Sequence, residues 1–252
     1  NEPDIADPNT PGHTWDGTLE EFVQLQRVSY LVAKEINPDI VIHLPAFTHF
    51  WDPTYIGRFM EAVAADPEAA EHDYYFDVLT AHLYFQPDSI YTIIQGFLQA
   101  VEEAGIPPKP LWLVETNAPP INDHTWVVEE WALSVTLDEQ AAFIPQGLAL
   151  ALAAGAERVA VFKLRDTETD RLANPEPFGL LRQGGGNRPA FVTYRVAIRE
   201  LSGATAVLRT RWDEVGQVEF AQGNRLTTML FARLPIPQVA EVVAESETAV
   251  LM

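Results

Sequence analysis

The sequence predicts an α/β fold in which parallel strands alternate with helices. Three observations support this prediction: short apolar runs with the length of buried strands, amphipathic segments between them, and a repeat of roughly 35–45 residues. The strand candidates are residues 40–44, 76–84, 111–114 and 159–162. The helix candidates are residues 18–36, 54–65, 89–104, 137–154 and 189–201. Because a helix separates consecutive strands, we expect a parallel sheet with right-handed crossovers.

The first helix candidate has the clearest boundaries. Thr18 is followed three residues later by Glu21, which is the pattern of a capping box. Asn37-Pro38 ends the segment, because the residue before a proline avoids helical backbone. Between these limits, apolar residues recur at helical spacing at positions Phe22, Leu25, Val28, Leu31, Val32 and Ile36.

Composition limits the possible partners and cofactors. The chain has 252 residues, a hydrophobic content of 47% and a net charge of −20, so it can form a large core but offers no basic surface for nucleic acid or anionic membranes. No run approaches the ~18 apolar residues that span a bilayer. There is no cysteine, and the six histidines show no metal-ligand spacing. We therefore predict no metal site and no cofactor.

The residue pattern changes after Gly203. Short β-type runs at residues 207–210, 217–220 and 226–231 are separated by turn residues. We predict two domains: an α/β domain over residues 1–203, and a truncated antiparallel β-sandwich module over residues 204–252.

Two glutamates stand out as candidate catalytic groups. Glu115 directly follows the apolar run 111–114, and Glu2 lies 113 positions earlier in Asn1-Glu2-Pro3. Catalytic groups of parallel barrels lie at the carboxyl ends of strands. Two carboxylates supplied by two strand ends are what retaining glycoside hydrolysis needs.

Three motifs in sequential order carry a resemblance to a known family. They are Asn1-Glu2-Pro3 before a helix, His82-x-Tyr84 at a strand end, and Trp112-Leu113-Val114-Glu115-Thr116. Together they resemble the large clan of (β/α)₈ retaining glycoside hydrolases that includes cellulase-like and β-xylosidase-like families. The resemblance covers about residues 1–201. It implies a partial TIM barrel, from the end of strand 4 through helix 8. The chain would be the C-terminal part of a larger enzyme, without the N-terminal half of its barrel.

The resemblance also assigns roles to individual residues. Glu115 would be the nucleophile, and Glu2 would be the acid/base. Asn1 would hydrogen-bond the sugar 2-hydroxyl, Tyr84 would donate to Glu115, and His82 would lie beside them. The substrate would be an oligosaccharide, a polysaccharide or another glycoside. We expect an extracellular or cell-surface location, although no signal peptide is visible.

Aromatic and basic residues extend the candidate site. Trp51 and Trp126 lie in loops on the expected catalytic face, where rings either stack on sugars or pack within the loop. Lys163 follows the last strand candidate, where many members of the clan have a tryptophan. It would bind an acidic group of the substrate; alternatively, Lys163 or Arg165 would pair with Asp166 or Glu168 in a structural role.

Other functions remain as alternatives. The main one is a barrel that binds carbohydrate without cleaving it. An N-terminal nucleophile hydrolase is excluded because asparagine at position 1 lacks the required hydroxyl or thiol, and histidine spacing disfavours a metal-dependent hydrolase. Half a barrel would expose apolar edges, so we expect this chain alone to be inactive and poorly soluble.

Overall fold

The computed structural model describes residues 1–10, 12–128, 133–170, 176–234 and 236–241. The chain forms two compact units, Asn1–Ser202 and Gly203–Met252. The first contains a parallel sheet and the second an antiparallel sheet, which confirms the α/β class for the first unit. Among the described residues, no helix is both long and apolar enough to cross a bilayer.

The parallel sheet has three strands in the order β1-β2-β3, and helices connect them. All four residues of β1 are buried, as expected for a strand that is covered on both faces. The strands are β1 (Leu79–His82), β2 (Leu111–Glu115) and β3 (Ala156–Val159). The helices are α1 (Leu19–Ile36), α2 (Tyr55–Ala64), α3 (Pro87–Glu103), α4 (Leu137–Ala153), α5 (Pro189–Leu201) and a 3₁₀ helix, Ala69–Tyr75.

All five helix candidates are confirmed. The hydroxyl of Thr18 accepts the Glu21 N–H and the Glu21 carboxylate accepts the Thr18 N–H, so the predicted capping box starts α1. A second capping box, between Thr136 and Glu139, starts α4. Helix α3 begins two residues before the predicted start, because Pro87 already has the backbone angle that suits a first helical residue.

The strand predicted over residues 40–44 is not a regular strand. Its place is taken by two isolated parallel bridges, His43 to Val78 and Phe47 to Ala81. Pro45 lies between the bridges and has no N–H to donate, which interrupts the ladder. The segment still lies beside β1: Leu44 N–H donates to Val78 O at 2.9 Å.

The strand predicted over residues 159–162 begins three residues earlier, as β3. Glu157 and Arg158 are exposed, so the start of the strand lacks the apolar character on which the prediction rested. The following residues continue along β2: Ala160 N–H donates to Leu113 O at 2.8 Å, and Phe162 N–H donates to Thr116 O at 3.2 Å.

The core of the first unit is centred on Phe47. Its ring centroid lies 5.5 Å from that of Phe59 on α2 and 6.3 Å from that of Phe97 on α3. All three residues are fully buried. Segment 42–47 is therefore fixed between the sheet and its helices by apolar packing as well as by backbone hydrogen bonds.

The second unit is an antiparallel meander of three strands, β4 (Ala206–Trp212), β5 (Val215–Gln222) and β6 (Arg225–Ala232). Gly223 forms the tight turn before β6 with a positive φ of 63°. The three predicted β-runs are confirmed as strands of one sheet. The second sheet of a sandwich stays a prediction, and residues 242–252 of the predicted module lie outside the described part.

Buried ion pairs join the segments that follow β2 and β3. Arg188, immediately before α5, is fully buried; its Nε donates to Asp123 Oδ2 at 2.7 Å and its Nη1 to Asp166 Oδ2 at 2.5 Å. Arg182 Nε also donates to Asp123 Oδ2 at 2.9 Å. Removing one partner of such a cluster is strongly destabilising, because the remaining charge stays buried without compensation.

Asp123 should make stability depend on pH. Burial alone would raise the pKa of Asp123, but hydrogen bonds from Thr125 and Arg188 outweigh burial and lower the pKa to about 2. A depressed carboxyl pKa stabilises the fold above the unfolded value of about 4, and this contribution disappears as the pH falls toward 2. A difference of about two pKa units corresponds to roughly 2–3 kcal/mol. Urea unfolding between pH 6 and pH 2 measures this loss.

The matched comparison is Asp123→Asn against Asp39→Asn, which changes an exposed aspartate. The Asp123→Asn variant should lack this part of the acid-induced loss, while Asp39→Asn should follow the unmodified protein. If the free energy of unfolding falls equally between pH 6 and pH 2 in the unmodified protein and in both variants, the assignment of this pH dependence to Asp123 is wrong.

Candidate active site

The backbone of Glu2 is hydrogen-bonded on both sides. Its N–H donates to Ala46 O at 3.0 Å, and its carbonyl accepts the Ile5 N–H at 3.0 Å, which closes a four-residue turn with Pro3 at its second position. The Thr14 hydroxyl also donates to the Glu2 carbonyl at 2.6 Å. Glu2 has a φ of 47°, a conformation that a residue with a side chain adopts only where its surroundings hold it.

Glu115 and His82 are brought together by the parallel register. His82 is the last residue of β1, Glu115 is the last residue of β2, and the two are paired across the sheet. Tyr84 follows β1 by two residues, so its side chain lies on the same side as that of His82. The sheet thus supplies three polar side chains at the carboxyl end of its strands.

The two glutamates meet at His82. His82 Nδ1 lies 2.7 Å from Glu2 Oε1 and 3.5 Å from Glu115 Oε2. The Tyr84 hydroxyl donates to Glu115 Oε2 at 2.5 Å. A single ligand atom from each of Glu2, His82 and Glu115 lies within 4.8 Å of the other two. His82 is 4% exposed and the Glu115 side chain 29%, so the nucleophile candidate remains open to solvent.

Tyr84 is held as a neutral donor. Burial raises the pKa of Tyr84 far above its ordinary value, and the charge of Glu115 and the hydrogen bond to it raise the pKa further. Its ring packs edge-on against Phe178 and Phe162, with centroids at 5.4 and 6.5 Å. Rigid packing and a persistent proton together orient the hydroxyl toward Glu115 Oε2.

Glu2, His82 and Glu115 also form a donor set of the kind that binds divalent metals, which sequence spacing did not indicate. Two ligands of a tetrahedral zinc ion lie roughly 3.3 Å apart, given bonds of about 2.0–2.1 Å. The 2.7 Å between His82 Nδ1 and Glu2 Oε1 is shorter than that and matches a hydrogen bond. One shared proton accounts for this contact.

The other predicted site residues have different surroundings. Asn1 is exposed beside Glu2. Trp51 is 55% exposed, while Trp126 is 4% exposed and has little free ring surface. Lys163 forms an ion pair with Asp170 rather than with the predicted Asp166 or Glu168, and it lies 5.3 Å from the Phe162 ring centroid. Roles for these four residues in substrate binding stay predictions.

Asn117 is a site residue that sequence reasoning missed. It is fully buried, and its amide nitrogen donates to Phe162 O at 2.7 Å and to Phe178 O at 2.6 Å. These bonds fix the backbone of the two residues whose rings pack on Tyr84. The position of Asn117 two residues after Glu115 was its only signal in the sequence, since the carbonyls to which it donates lie 45 and 61 positions away.

Comparisons with known proteins identify the fold. No family model and no curated protein matches the sequence. Solved structures do match, beginning with a family 39 glycoside hydrolase from Bacteroides cellulosilyticus WH2, with a TM-score of 0.66, 20% identity and coverage of 93% of this chain and 46% of that one. A glucosidase from Croceicoccus marinus matches with a TM-score of 0.60, 15% identity and coverage of 86% and 46%.

A monomeric β-xylosidase from Caulobacter crescentus CB15 also matches, with a TM-score of 0.54, 15% identity and coverage of 87% of this chain and 47% of that one. Because the sequence identities are low, the likeness concerns only the fold. At the level of the fold, it confirms the resemblance to glycoside hydrolases. The chain spans about half the length of these solved structures.

Tyr84 should resist ionisation. Since burial and Glu115 raise its pKa, its phenol should remain protonated at pH 10, where an ordinary tyrosine is about half ionised. Absorbance at 295 nm at pH 10 should therefore be the same for the protein and for Tyr84→Phe, with far-UV circular dichroism confirming that both are folded. If Tyr84→Phe instead absorbs less at 295 nm, by the amount expected for one half-ionised tyrosine, this description of the site is wrong.

Proposed function

We propose that the chain is the C-terminal part of a retaining glycoside hydrolase, with Glu115 as nucleophile and Glu2 as acid/base. One observation carries the proposal: two carboxylates from distant parts of the chain converge on His82 at the carboxyl edge of a parallel sheet. Retaining enzymes separate their carboxyl groups by about 5–5.5 Å and inverting enzymes by about 6.5–9.5 Å. One oxygen of Glu2 lies within 4.8 Å of one oxygen of Glu115, and this proximity favours the shorter carboxyl separation of a retaining enzyme.

In the first step, Glu115 attacks the anomeric carbon while Glu2 protonates the departing glycosidic oxygen. Tyr84 occupies Oε2 of Glu115, which leaves Oε1 as the attacking oxygen. The product is a glycosyl ester on Glu115 and a free alcohol. In the second step, Glu2 takes a proton from water, the water oxygen attacks the anomeric carbon, and Glu115 is released as carboxylate.

His82 orients Glu2 throughout this cycle. Its Nδ1–H can donate to Glu2 Oε1 both when Glu2 is a carboxylate and when Glu2 is the acid with its proton on Oε2. The 2.7 Å contact can therefore persist in both protonation states of Glu2. The other carboxyl oxygen of Glu2 remains for the leaving group and for water.

The barrel assignment gives this site its place in the fold. Segment 42–47, β1, β2 and β3 would be strands 5–8 of a TIM barrel, and Glu2 would end strand 4. Two observations support the assignment: these segments lie side by side in parallel, and the matching solved structures are about twice as long.

The substrate we propose is an oligosaccharide or glycoside with a terminal glucose or xylose. The support is the glucosidase and the β-xylosidase among the matching structures. Asn1 would bind the sugar 2-hydroxyl, and the exposed ring of Trp51 would stack on an outer sugar. Trp126 and Lys163 would contribute from the loops after β2 and β3, and the enzyme would act outside the cell or at its surface.

The partner we propose for this chain is the N-terminal half of the barrel. Helix α1 exposes an apolar stripe at spacing 3, 4 and 4, formed by Leu25, Val28, Val32 and Ile36. The neighbouring Ile40 and Val41 are also exposed. A patch of this kind is characteristic of an interface, and the preceding helix and strand of a closed barrel would cover it.

Substitution of each glutamate tests the catalytic roles in the full-length protein. With aryl glucosides and xylosides, Glu115→Gln should abolish hydrolysis of every substrate because no ester can form. Glu2→Gln should lose about 10²–10⁴-fold on substrates with poor leaving groups and far less in the first step with 2,4-dinitrophenyl glycosides. Steady-state and burst kinetics measure both effects.

The control is Glu35→Gln on the exposed side of α1, which should keep full activity. Sugar binding without hydrolysis by the unmodified protein would instead favour a carbohydrate-binding barrel. Unchanged hydrolysis by Glu115→Gln would overturn the assignment of the nucleophile.

The chain by itself should be inactive and self-associating, because the apolar stripe of α1 lacks its cover. Light scattering after size exclusion should show oligomers, and Leu25→Ser/Val32→Ser should shift them toward monomer. Val127→Ser, at an exposed valine outside α1, should have no such effect. A monomeric chain that melts cooperatively and hydrolyses glycosides would disprove the need for a partner.

A further inference from the structure

Asp4 is a buried carboxylate that the proposed mechanism does not use. It lies two residues after Glu2 and is 3% exposed. Its Oδ2 accepts three hydrogen bonds, from Thr48 N–H at 2.8 Å, from the Thr48 hydroxyl at 2.7 Å and from His49 N–H at 2.9 Å. Burial raises the pKa of Asp4, and the hydrogen bonds from Thr48 and His49 oppose this by stabilising the carboxylate. The same bonds join the turn of Glu2 to residues 48–49.

Asp4 connects two residues that have unusual backbone angles. Glu2 has a φ of 47° and His49 a φ of 68°, and neither is glycine. Residues with side chains hold such angles only where neighbouring contacts fix them. Asp4 accepts the N–H of His49 directly, and it belongs to the hydrogen-bonded turn that begins at Glu2.

The contacts of Asp4 complete a closed ring that includes Glu2 and His82. Residues 48 and 49 follow Phe47, whose carbonyl accepts the His82 N–H at 3.0 Å. His82 Nδ1 contacts Glu2 Oε1 at 2.7 Å, and the turn leads from Glu2 back to Asp4. Asp4 therefore fixes the backbone of Glu2 relative to the strand that carries its histidine partner.

We propose that Asp4 is a positioning residue for Glu2, acting through the hydrogen bonds that hold residues 48–49 against the Glu2 turn. This inference rests on the proposed function of Glu2 as acid/base. Asparagine at position 4 would preserve the shape of the side chain but not its charge, and its amide group would weaken the three contacts at Oδ2. The carboxyl group of Glu2 would then lose its alignment with the leaving oxygen, while Glu115, on β2, would keep its contact with Tyr84.

The dependence of rate on the leaving group distinguishes positioning of Glu2 from general damage. Acid catalysis is needed when the leaving oxygen is basic and contributes little when it is not. In the full-length protein, Asp4→Asn should lower kcat/KM about 10–100-fold for phenyl or alkyl glycosides, because misplacement of a catalytic group by about 1 Å costs up to 10²-fold. Its kcat/KM for 2,4-dinitrophenyl glycosides should stay within about twofold.

Two further variants complete the test. Asp7→Asn changes an exposed aspartate of the same loop, whose carboxylate accepts hydrogen bonds from the backbone N–H and the side-chain amide of Asn9, and should leave both classes of substrate unaffected. Thr48→Val removes one of the three bonds to Asp4 and should give a smaller loss with the same selectivity. It provides the measurement if Asp4→Asn does not fold.

Equal losses on both substrate classes, or no loss on either, would overturn the proposal for Asp4. These outcomes differ from failure of the proposed function, in which the unmodified protein would hydrolyse neither class. A loss confined to the activated substrates would also overturn the proposal, because it would point to Glu115.

Discussion

The contact between His82 Nδ1 and Glu2 Oε1 joins positions 80 residues apart, and the candidate site depends on it. His82 is fixed by β1 and by the Phe47 carbonyl, whereas Glu2 belongs to an irregular turn without a strand of its own. Without this contact, Glu115 would remain at the end of β2 with Tyr84, but it would have no second carboxylate within reach. The proposed catalysis by a pair of carboxylates therefore depends on how firmly the Glu2 turn is attached to the sheet.

Buried polar groups attach irregular segments to one another at several places in the first unit. Asp4 binds the Glu2 turn to residues 48–49, and Asn117 binds the end of β2 to the carbonyls of Phe162 and Phe178. Arg188 and its aspartate partners connect the loops that follow β2 and β3. Each of these groups makes several hydrogen bonds inside the protein, so it holds irregular backbone in one arrangement at the edge where the site lies.

Much of the fold could be predicted from the sequence because its signals are local. The capping box at Thr18 and Glu21 and the apolar spacing of α1 involve residues within a few turns of one helix. The position of Glu115 at a strand end follows equally from the run before it. In contrast, the strand predicted over residues 40–44 is replaced by isolated bridges on either side of Pro45. The exposed, polar Glu157 and Arg158 gave no apolar pattern by which the beginning of β3 could be predicted. In both cases tertiary pairing, rather than apolar pattern, defines the strand.

Some residues of the candidate site could likewise be predicted from the sequence, and others could not. The resemblance to glycoside hydrolases identified Glu2, His82, Tyr84 and Glu115, and the structure brings these four together. Asp4 and Asn117 could not be recognised from the sequence. The donors to Asp4 at residues 48–49 and the carbonyls that the Asn117 amide nitrogen contacts lie more than 40 positions away, and both residue types are common in loops. Only the folded chain shows that they are buried and what they hold.

The most direct test of the central claim is to trap the proposed intermediate. A 2-deoxy-2-fluoro glucoside or xyloside with a dinitrophenyl leaving group should inactivate the full-length enzyme. The fluorine slows both steps by destabilising their oxocarbenium-like transition states, and the dinitrophenyl group speeds only the formation of the ester, so the ester accumulates. Mass spectrometry of the intact protein and its peptides should then show one fluoroglycosyl group, bound to Glu115. An adduct on another residue would contradict this account, and so would turnover of ordinary glycosides by an enzyme that forms no adduct.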